Sequence, residues 1–422
     1  MIGAVATLLL SLQAAPPALD TRVELVALQL AGRTRDALAR TERELAERPA
    51  TARAAGLDYL RGHLLDLLGR PADAADAFAA TMAHAPGLAL HARYRLALEQ
   101  AQMGHPEVAA GLVATGIRAQ PGSPLLPEAI RLLQRTLAQG GDCRLLRGLA
   151  PERFRPADGR RLALAQADCE LRAGRREPAR RIYLALVERD PGDETAREAA
   201  ERLAALLPES QVGRAALRVG LAFHQHREWD EALRWLRAAL AGAGLSGDER
   251  LEARYAIGRA LFFRDELAAA AGAFGDLAER AAAPETRARA RYQEARAYEL
   301  LGQRSRAVAT FRTAYAASPA GEWSAAALLA ALRLHWLAGR ERPALDLYGH
   351  LQSRREWREQ AARAALFLAA SDLARSRHDR ARAWLATAGL GTPEYAIELA
   401  YWRGRRAEAA GDEAGAVRAY AA

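Results

Sequence analysis

The sequence contains no lysine and no asparagine, so all 60 of its basic residues are arginine. A Walker A phosphate loop needs a Lys to reach the nucleotide phosphates, and its absence excludes that class of nucleotide site. An Arg-for-Lys, Ala-rich bias is what a GC-rich genome produces, which weakens a functional reading of the arginine surplus. Aromatic residues make up only 6% of the chain. β-branched residues are also few, and no stretch shows the period-2 alternation of a half-buried strand. There are two cysteines, neither in a C-x-x-C pair, so a Cys-based metal site is excluded. The longest apolar run, Ala4 to Leu12, is too short to span a bilayer, and no other segment comes nearer, so the chain is expected not to be integral to a membrane.

What remains is alanine, leucine and charge. Half of the 422 residues are apolar, and a core drawn mostly from Ala and Leu is built from strong helix formers. A chain of this length exceeds one ordinary globular core, so several domains or a repeat array are expected. The net charge of +9 would favour polyanions. No Arg block is interleaved with aromatics, however, and 51 acids stand at helical spacing to pair with the arginines. The charge therefore reads as solvated helix faces, not as a nucleic-acid platform.

Residues 1–18 open with an apolar run followed by Ala14-Ala15-Pro16-Pro17-Ala18, the layout of an export signal. There is no Arg before the run and no clean A-x-A site, so a frayed first helix of a cytoplasmic protein stays open. Cys143 and Cys169 lie in neighbouring helical segments. In an exported chain they would form one disulfide and in a reducing compartment two buried thiols, and spacing does not decide between these.

Internal repetition is the dominant signal. A tetratricopeptide-like unit pairs helix A, carrying a small residue where its partner packs close, with helix B, carrying an early Ala and a large apolar residue four positions on. Gly62, Ala74, Phe78 and Pro86 fit this pattern, as do Ala109 with Pro121, and Ala167, Ala179, Tyr183 and Pro191. Further on come Gly220, Phe223, Ala232 and Leu236, then Gly258, Leu261, Ala270 and Phe274. Ala295, Tyr298, Ala307, Phe311 and Pro319 follow, then Ala344 with Tyr348, Ala381 with Leu385, and Gly404, Ala416 and Tyr420. The helix-B alanines Ala270, Ala307, Ala344 and Ala381 stand 37 residues apart. Turns such as Leu68-Gly69-Arg70-Pro71, Ala173-Gly174-Arg175, Leu301-Gly302-Gln303, Ala338-Gly339-Arg340 and Ala410-Gly411-Asp412 place Gly where helix A must end in a left-handed cap. The pattern loosens over residues 124–158 and loses phase between Pro208 and Gly213. The expected fold is an all-α solenoid of helix-turn-helix repeats. It should comprise a degenerate array over 19–207 and a more regular one over 208–422. The last segment, residues 413–422, begins a helix B with no polar cap after it, as though a further domain were to follow.

No motif carries chemistry. Gly242-Ala243-Gly244-Leu245-Ser246-Gly247 matches the dinucleotide fingerprint G-x-G-x-x-G but falls between two helices, where no strand presents it. His224 and His226, two apart on a helix, point to different faces. Carboxylate pairs such as Glu228 with Asp230 and Glu356 with Glu359 have arginines at helical spacing and no sign of a desolvated partner. Trp235, Trp323, Trp336, Trp357, Trp384, Tyr401 and Trp402 fall mostly at core positions of the repeat, with a ligand groove as their alternative use. Read as it stands, the chain is not an enzyme and takes no cofactor.

One segment carries a family resemblance. Tyr401-Trp402-Arg403-Gly404-Arg405, then Ala410-Gly411-Asp412, Ala416 and Tyr420, resembles the unit that closes the superhelical, non-catalytic region of soluble lytic transglycosylases. Those are periplasmic enzymes that cleave peptidoglycan. The resemblance covers about half the chain, roughly 210–422, and implies a periplasmic scaffold that holds glycan strands or positions an enzyme module on the wall. It transfers no catalytic residue. Glu209-Ser210 stands alone in a turn, no Met follows Met103, and Asn is absent. A longer chain of this kind would be a lytic transglycosylase. The competing expectation is a stand-alone interaction scaffold binding a protein or peptide, unrelated to the cell wall.

Overall fold

The structure, a computed structural model, describes residues 19–207, 213–388 and 395–421. The export-signal segment 1–18 and the turn that contains Glu209 and Ser210 lie outside the described residues. Among the described residues there is no strand, and every long element is a helix packed on its neighbour in sequence. The chain divides into two compact units, Met1–Leu206 and Leu207–Ala422.

The first unit contains α1 (Leu19–Leu30), α2 (Thr34–Glu47), a short α3 (Pro49–Ala54), α4 (Leu57–Leu67), α5 (Pro71–His84), α6 (Ala89–Gln102), α7 (Pro106–Ala119), α8 (Leu126–Ala138), α9 (Pro156–Arg172), α10 (Arg176–Arg189) and α11 (Glu194–Leu206). Proline opens α3, α5, α7 and α9 at the one helical position where its missing N–H costs nothing. The pairs α4–α5, α6–α7 and α9–α10 are helix-turn-helix units. Helix α8 is an A helix without its B partner. In place of that partner, residues 139–155 make two 3-10 turns, Cys143–Leu146 and Pro151–Arg153. Leu146, at the end of the first turn, and Leu149, between the two, plug the core that α7, α8 and α9 share. This is the loosening visible in the sequence, and its cause is the run of Gly140, Gly141, Gly148 and Pro151, which cannot sustain a helix. A disulfide joins Cys143 to Cys169 of α9, with Cα atoms 5.7 Å apart.

The described residues of the second unit form six pairs: α12 (Gly213–Gln225) with α13 (Trp229–Ala241), α14 (Gly247–Phe263) with α15 (Leu267–Arg280), α16 (Pro284–Leu300) with α17 (Arg304–Ala317), α18 (Glu322–Leu337) with α19 (Glu341–Gln352), α20 (Arg358–Ala374) with α21 (His378–Ala388), and α22 (Ala396–Ala409) with α23 (Glu413–Tyr420). Within a pair, the side chain sixteen positions after the small A-helix residue fills the space over it. A Cβ added to Gly62 would lie 2.8 Å from the Phe78 ring, one on Gly220 2.8 Å from Leu236, and one on Gly258 2.6 Å from Phe274. Gly404 is closed over by Tyr420 in the same way. The helix-B alanines Ala74, Ala179, Ala232, Ala270, Ala307, Ala344 and Ala381 have no exposed surface, and Ala416 has almost none. Phe78, Tyr183, Phe274 and Phe311 are fully buried and Tyr348 nearly so.

The turn from A to B needs one residue in the left-handed region. Gly69, Gly174, Gly302, Gly339 and Gly411 hold it at φ of 71, 75, 73, 73 and 76°. Asp265 and Ser376 occupy the same position one repeat before Gly302 and one after Gly339, at φ of 65 and 60°. The repeat geometry thus imposes on them a conformation that costs a residue with a Cβ about 1 kcal/mol or more.

Among the described residues no helix is long and apolar enough to cross a membrane.

Candidate binding face

Along the second unit most neighbouring A helices touch, α12 on α14, α16 on α18, α18 on α20 and α20 on α22, while among the described residues the B helices make no comparable contact with each other. The A side is therefore the inner side of this array, and its outward stripe is built in a repeated way. Arg259 on α14, Arg296 on α16 and Arg333 on α18 occur at intervals of 37 residues, the same interval as the buried helix-B alanines. They occupy one register position in three successive A helices. Tyr255 and Tyr292 repeat at that interval one turn earlier.

Arginines and aromatics interleave across this face. The guanidinium carbon of Arg289 lies 3.7 Å from the Tyr255 ring centre and 5.8 Å from that of Trp323, bridging α14, α16 and α18. Tyr292 and Trp323 hold their ring centres 5.3 Å apart. Arg296 sits 5.1 Å over Phe262, Arg259 5.0 Å over Phe263, and Arg333 5.5 Å over Phe367 of α20. Each such cation–π contact contributes about 0.5–1 kcal/mol at an exposed site and fixes where the guanidinium points. Among the described residues, none of Arg259, Arg289, Arg296, Arg333 and Arg363 lies within ion-pair distance of a carboxylate. Elsewhere on the chain pairing is frequent: Arg218 with Glu249 and Glu252, Arg254 with Asp276, Arg377 and Arg380 with Glu341.

The field of these cations is felt by their neighbours. Burial pushes the Tyr292 hydroxyl above its ordinary pKa, while Arg296, Arg363 and Arg333 pull it back and Glu299 adds to the rise. Three consecutive A helices thus place guanidinium charge around one phenol. His224 is lowered to about 4 by burial, with Arg259 adding to the shift, and stays neutral beside the stripe. The Tyr255 hydroxyl is buried without a hydrogen-bond partner. Arg296 donates to the Gln293 side-chain oxygen at 3.4 Å, and no carboxylate occupies these stacked guanidinium groups, which suits them to recognition of carboxylates, with aromatic surface between them for apolar side chains.

The residues singled out in the sequence are placed as follows. Trp336, Trp235 and Trp357 are buried, Trp323 stands half-buried on the A face, and Trp384 donates from its indole nitrogen to Asp372 at 3.0 Å. Tyr401 and Trp402 stack edge to face on α22. Asp230 pairs with Arg264, Glu356 lies 3.5 Å from Arg354, and Glu359 accepts from the Tyr395 hydroxyl at 2.8 Å. None of these carboxylates shares a cleft with a second one in the manner of an acid/base pair. Gly242 to Ser246 links α13 to α14, and Ser246 with Glu249 forms a capping box on α14. Among the described residues no group of His, Cys, Asp and Glu could hold a metal ion.

The first unit holds an unsatisfied charge that composition does not reveal. Glu99 on α6 is 1% exposed and both its carboxylate oxygens lack a hydrogen-bond partner. Burial, with Asp66 adding, raises its pKa from 4.5 to about 7, while Arg95 opposes the rise. A carboxyl with a raised folded-state pKa favours the fold while protonated. Its contribution is fullest below 4.5, is lost as pH rises from 4.5 to 7, and is level above that. Glu99→Gln should therefore melt higher than the wild type by a margin that widens between pH 5 and pH 8, read from paired thermal melts. A margin constant with pH would show that Glu99 is ionised throughout.

No protein-family model matches the chain, and neither does any curated protein sequence. Among solved structures, it is similar to a Rap protein complexed with Competence and Sporulation Factor, at 15% identity over 79% of this chain and 96% of that one, with a TM-score of 0.34. It is also similar to Naa15/Naa10 bound to HypK-THB, at 12% identity over 94% of this chain and 73% of that one, with a TM-score of 0.33. At these scores the likeness carries no functional argument.

Proposed function

We propose that the protein is a non-catalytic tetratricopeptide-like scaffold whose second unit captures an extended, carboxylate-bearing protein segment along the A face from Tyr255 to Phe367. The observation that carries this reading is the set of unpaired, ring-stacked arginines at one repeat register, Arg259, Arg296 and Arg333. Rings hold these three in register, where carboxylates hold arginines such as Arg254 and Arg377. Reversing all three with R259E/R296E/R333E, at surface positions that bear no core, should weaken binding of a labelled poly(Glu,Tyr) copolymer at least about tenfold in fluorescence anisotropy. Equal affinity of variant and wild type would reject this face as the binding surface.

A second reading keeps the scaffold and changes its ligand. The Cys143–Cys169 disulfide favours an oxidising compartment, here the periplasm, over the cytoplasm. The Tyr401-to-Tyr420 unit resembles the end of the lytic-transglycosylase superhelix. On that reading the face holds peptidoglycan glycan strands and positions a catalytic module upon them. Co-sedimentation with purified sacculi at physiological salt, lost in the triple variant, supports the glycan. Retention of the acidic copolymer with no sacculus binding supports the protein segment.

A further inference from the structure

In pairs such as α6–α7, α14–α15, α16–α17 and α18–α19, the preceding B helix covers one flank of the A helix. On α9 that cover is missing, because the 3-10 stretch 142–150 stands where a B helix would run. A groove of about 960 Å³ opens there. Its floor is one stripe of α9 and its capping residue, Gln166, Cys169, Glu170 and Ala173. Its far wall is one stripe of α10, Pro178, Arg181, Ile182 and Ala185. Both follow the i, i+3, i+4, i+7 spacing with which one helix receives another. The near wall is held in place covalently by the Cys143–Cys169 bridge, and the Gln166 amide donates to the Leu149 carbonyl at 3.0 Å.

The charge of the rim selects the occupant. Asp142 is taken by Arg144 at 2.8 Å and Glu170 by Arg175 at 2.5 Å. Arg147 and Arg181, exposed on opposite walls, have no carboxylate within ion-pair distance among the described residues. Ile182 and Ala185 give the groove apolar surface, the buried Leu146 and Leu149 back its near wall, and both edges are unneutralised. For a helix about 10 Å across rising 1.5 Å per residue, this volume corresponds to roughly two turns.

We infer that this groove in the first unit is a second docking site, taking a short amphipathic helix of a partner protein with acidic residues flanking its apolar stripe. The site is separate from the A face of the second unit and does not depend on the reading given to that face.

The test is a selection of displayed random 16-residue peptides on the full, oxidised chain. The expected result is a set of peptides with Leu, Ile or Phe at helical spacing and an excess of Asp and Glu. Their affinity should fall at least tenfold in R147E/R181E and in Ala185→Trp, which fills the groove from an exposed position. It should be unchanged in R259E/R296E/R333E. Circular dichroism on each variant confirms that the helices persist. Recovery of no shared acidic, amphipathic pattern, or peptides that bind both groove variants as tightly as the wild type, would overturn the inference. Loss of binding only in the A-face variant would overturn it as well.

Discussion

Phe274→Ala is expected to destabilise the second unit by about 3–5 kcal/mol. The ring has no exposed surface and lies over Gly258, so its removal forfeits both transfer energy and close packing between α14 and α15. Gly258→Leu attacks the same contact from the other side. Even one added carbon would come within 2.6 Å of that ring, and overpacking of this kind costs about 1–3 kcal/mol. The double variant G258L/F274A refills part of the void with the new side chain. It should therefore lose less than the sum of the single losses, by an amount a double-mutant cycle in urea measures directly. Strict additivity would show that the two positions do not share a contact.

Removing the disulfide gives the second large effect. Cys143 and Cys169 are 26 residues apart. In the chain-entropy account a loop of that size restrains the unfolded state by about 3.5 kcal/mol. Cys143→Ser with Cys169→Ser, or reduction of the wild type, should lower the stability of the first unit by roughly 2–4 kcal/mol and leave the second unit's transition where it was. Two unfolding transitions followed with and without reductant check this. A shift in both, or in neither, would contradict the placement of the bridge within one self-contained array.

The all-α repeat fold was legible because its determinants are steric and periodic. Small residues at Gly62 and Gly258, large ones at Phe78 and Phe274, and left-handed turns at Gly302 and Gly339 each leave a mark at a fixed offset. Substitution hides the mark without abolishing the geometry. Asp265 and Ser376 hold the same turn conformation as Gly302 and Gly339, yet neither residue type announces it. The A face was missed for a different reason. In the sequence its arginines belong to a dispersed surplus, and the Arg287, Arg289, Arg291 run of α16 does not by itself show which of them meet rings. The interleaving of Arg289 with Tyr255 and Trp323, or of Arg333 with Phe367, exists only between helices. A signal was nonetheless present, because the interval that exposed Ala270, Ala307 and Ala344 also relates Arg259, Arg296 and Arg333. Glu99 left no signal, since a carboxylate on an amphipathic helix reads as solvated until its neighbours are placed.

The shared register of Arg259, Arg296 and Arg333 also sets a length scale. Packed helices lie about 8–10 Å apart, so charges borne at one position on touching A helices, as Arg296 on α16 and Arg333 on α18, recur at about that pitch. An extended chain advances about 3.3 Å per residue. On the proposed reading, the face would act as a ruler with a graduation of about three residues. It would read the spacing of acids along a bound strand as well as their number, and a ligand of equal charge with its carboxylates two or four residues apart would slip out of phase within two graduations.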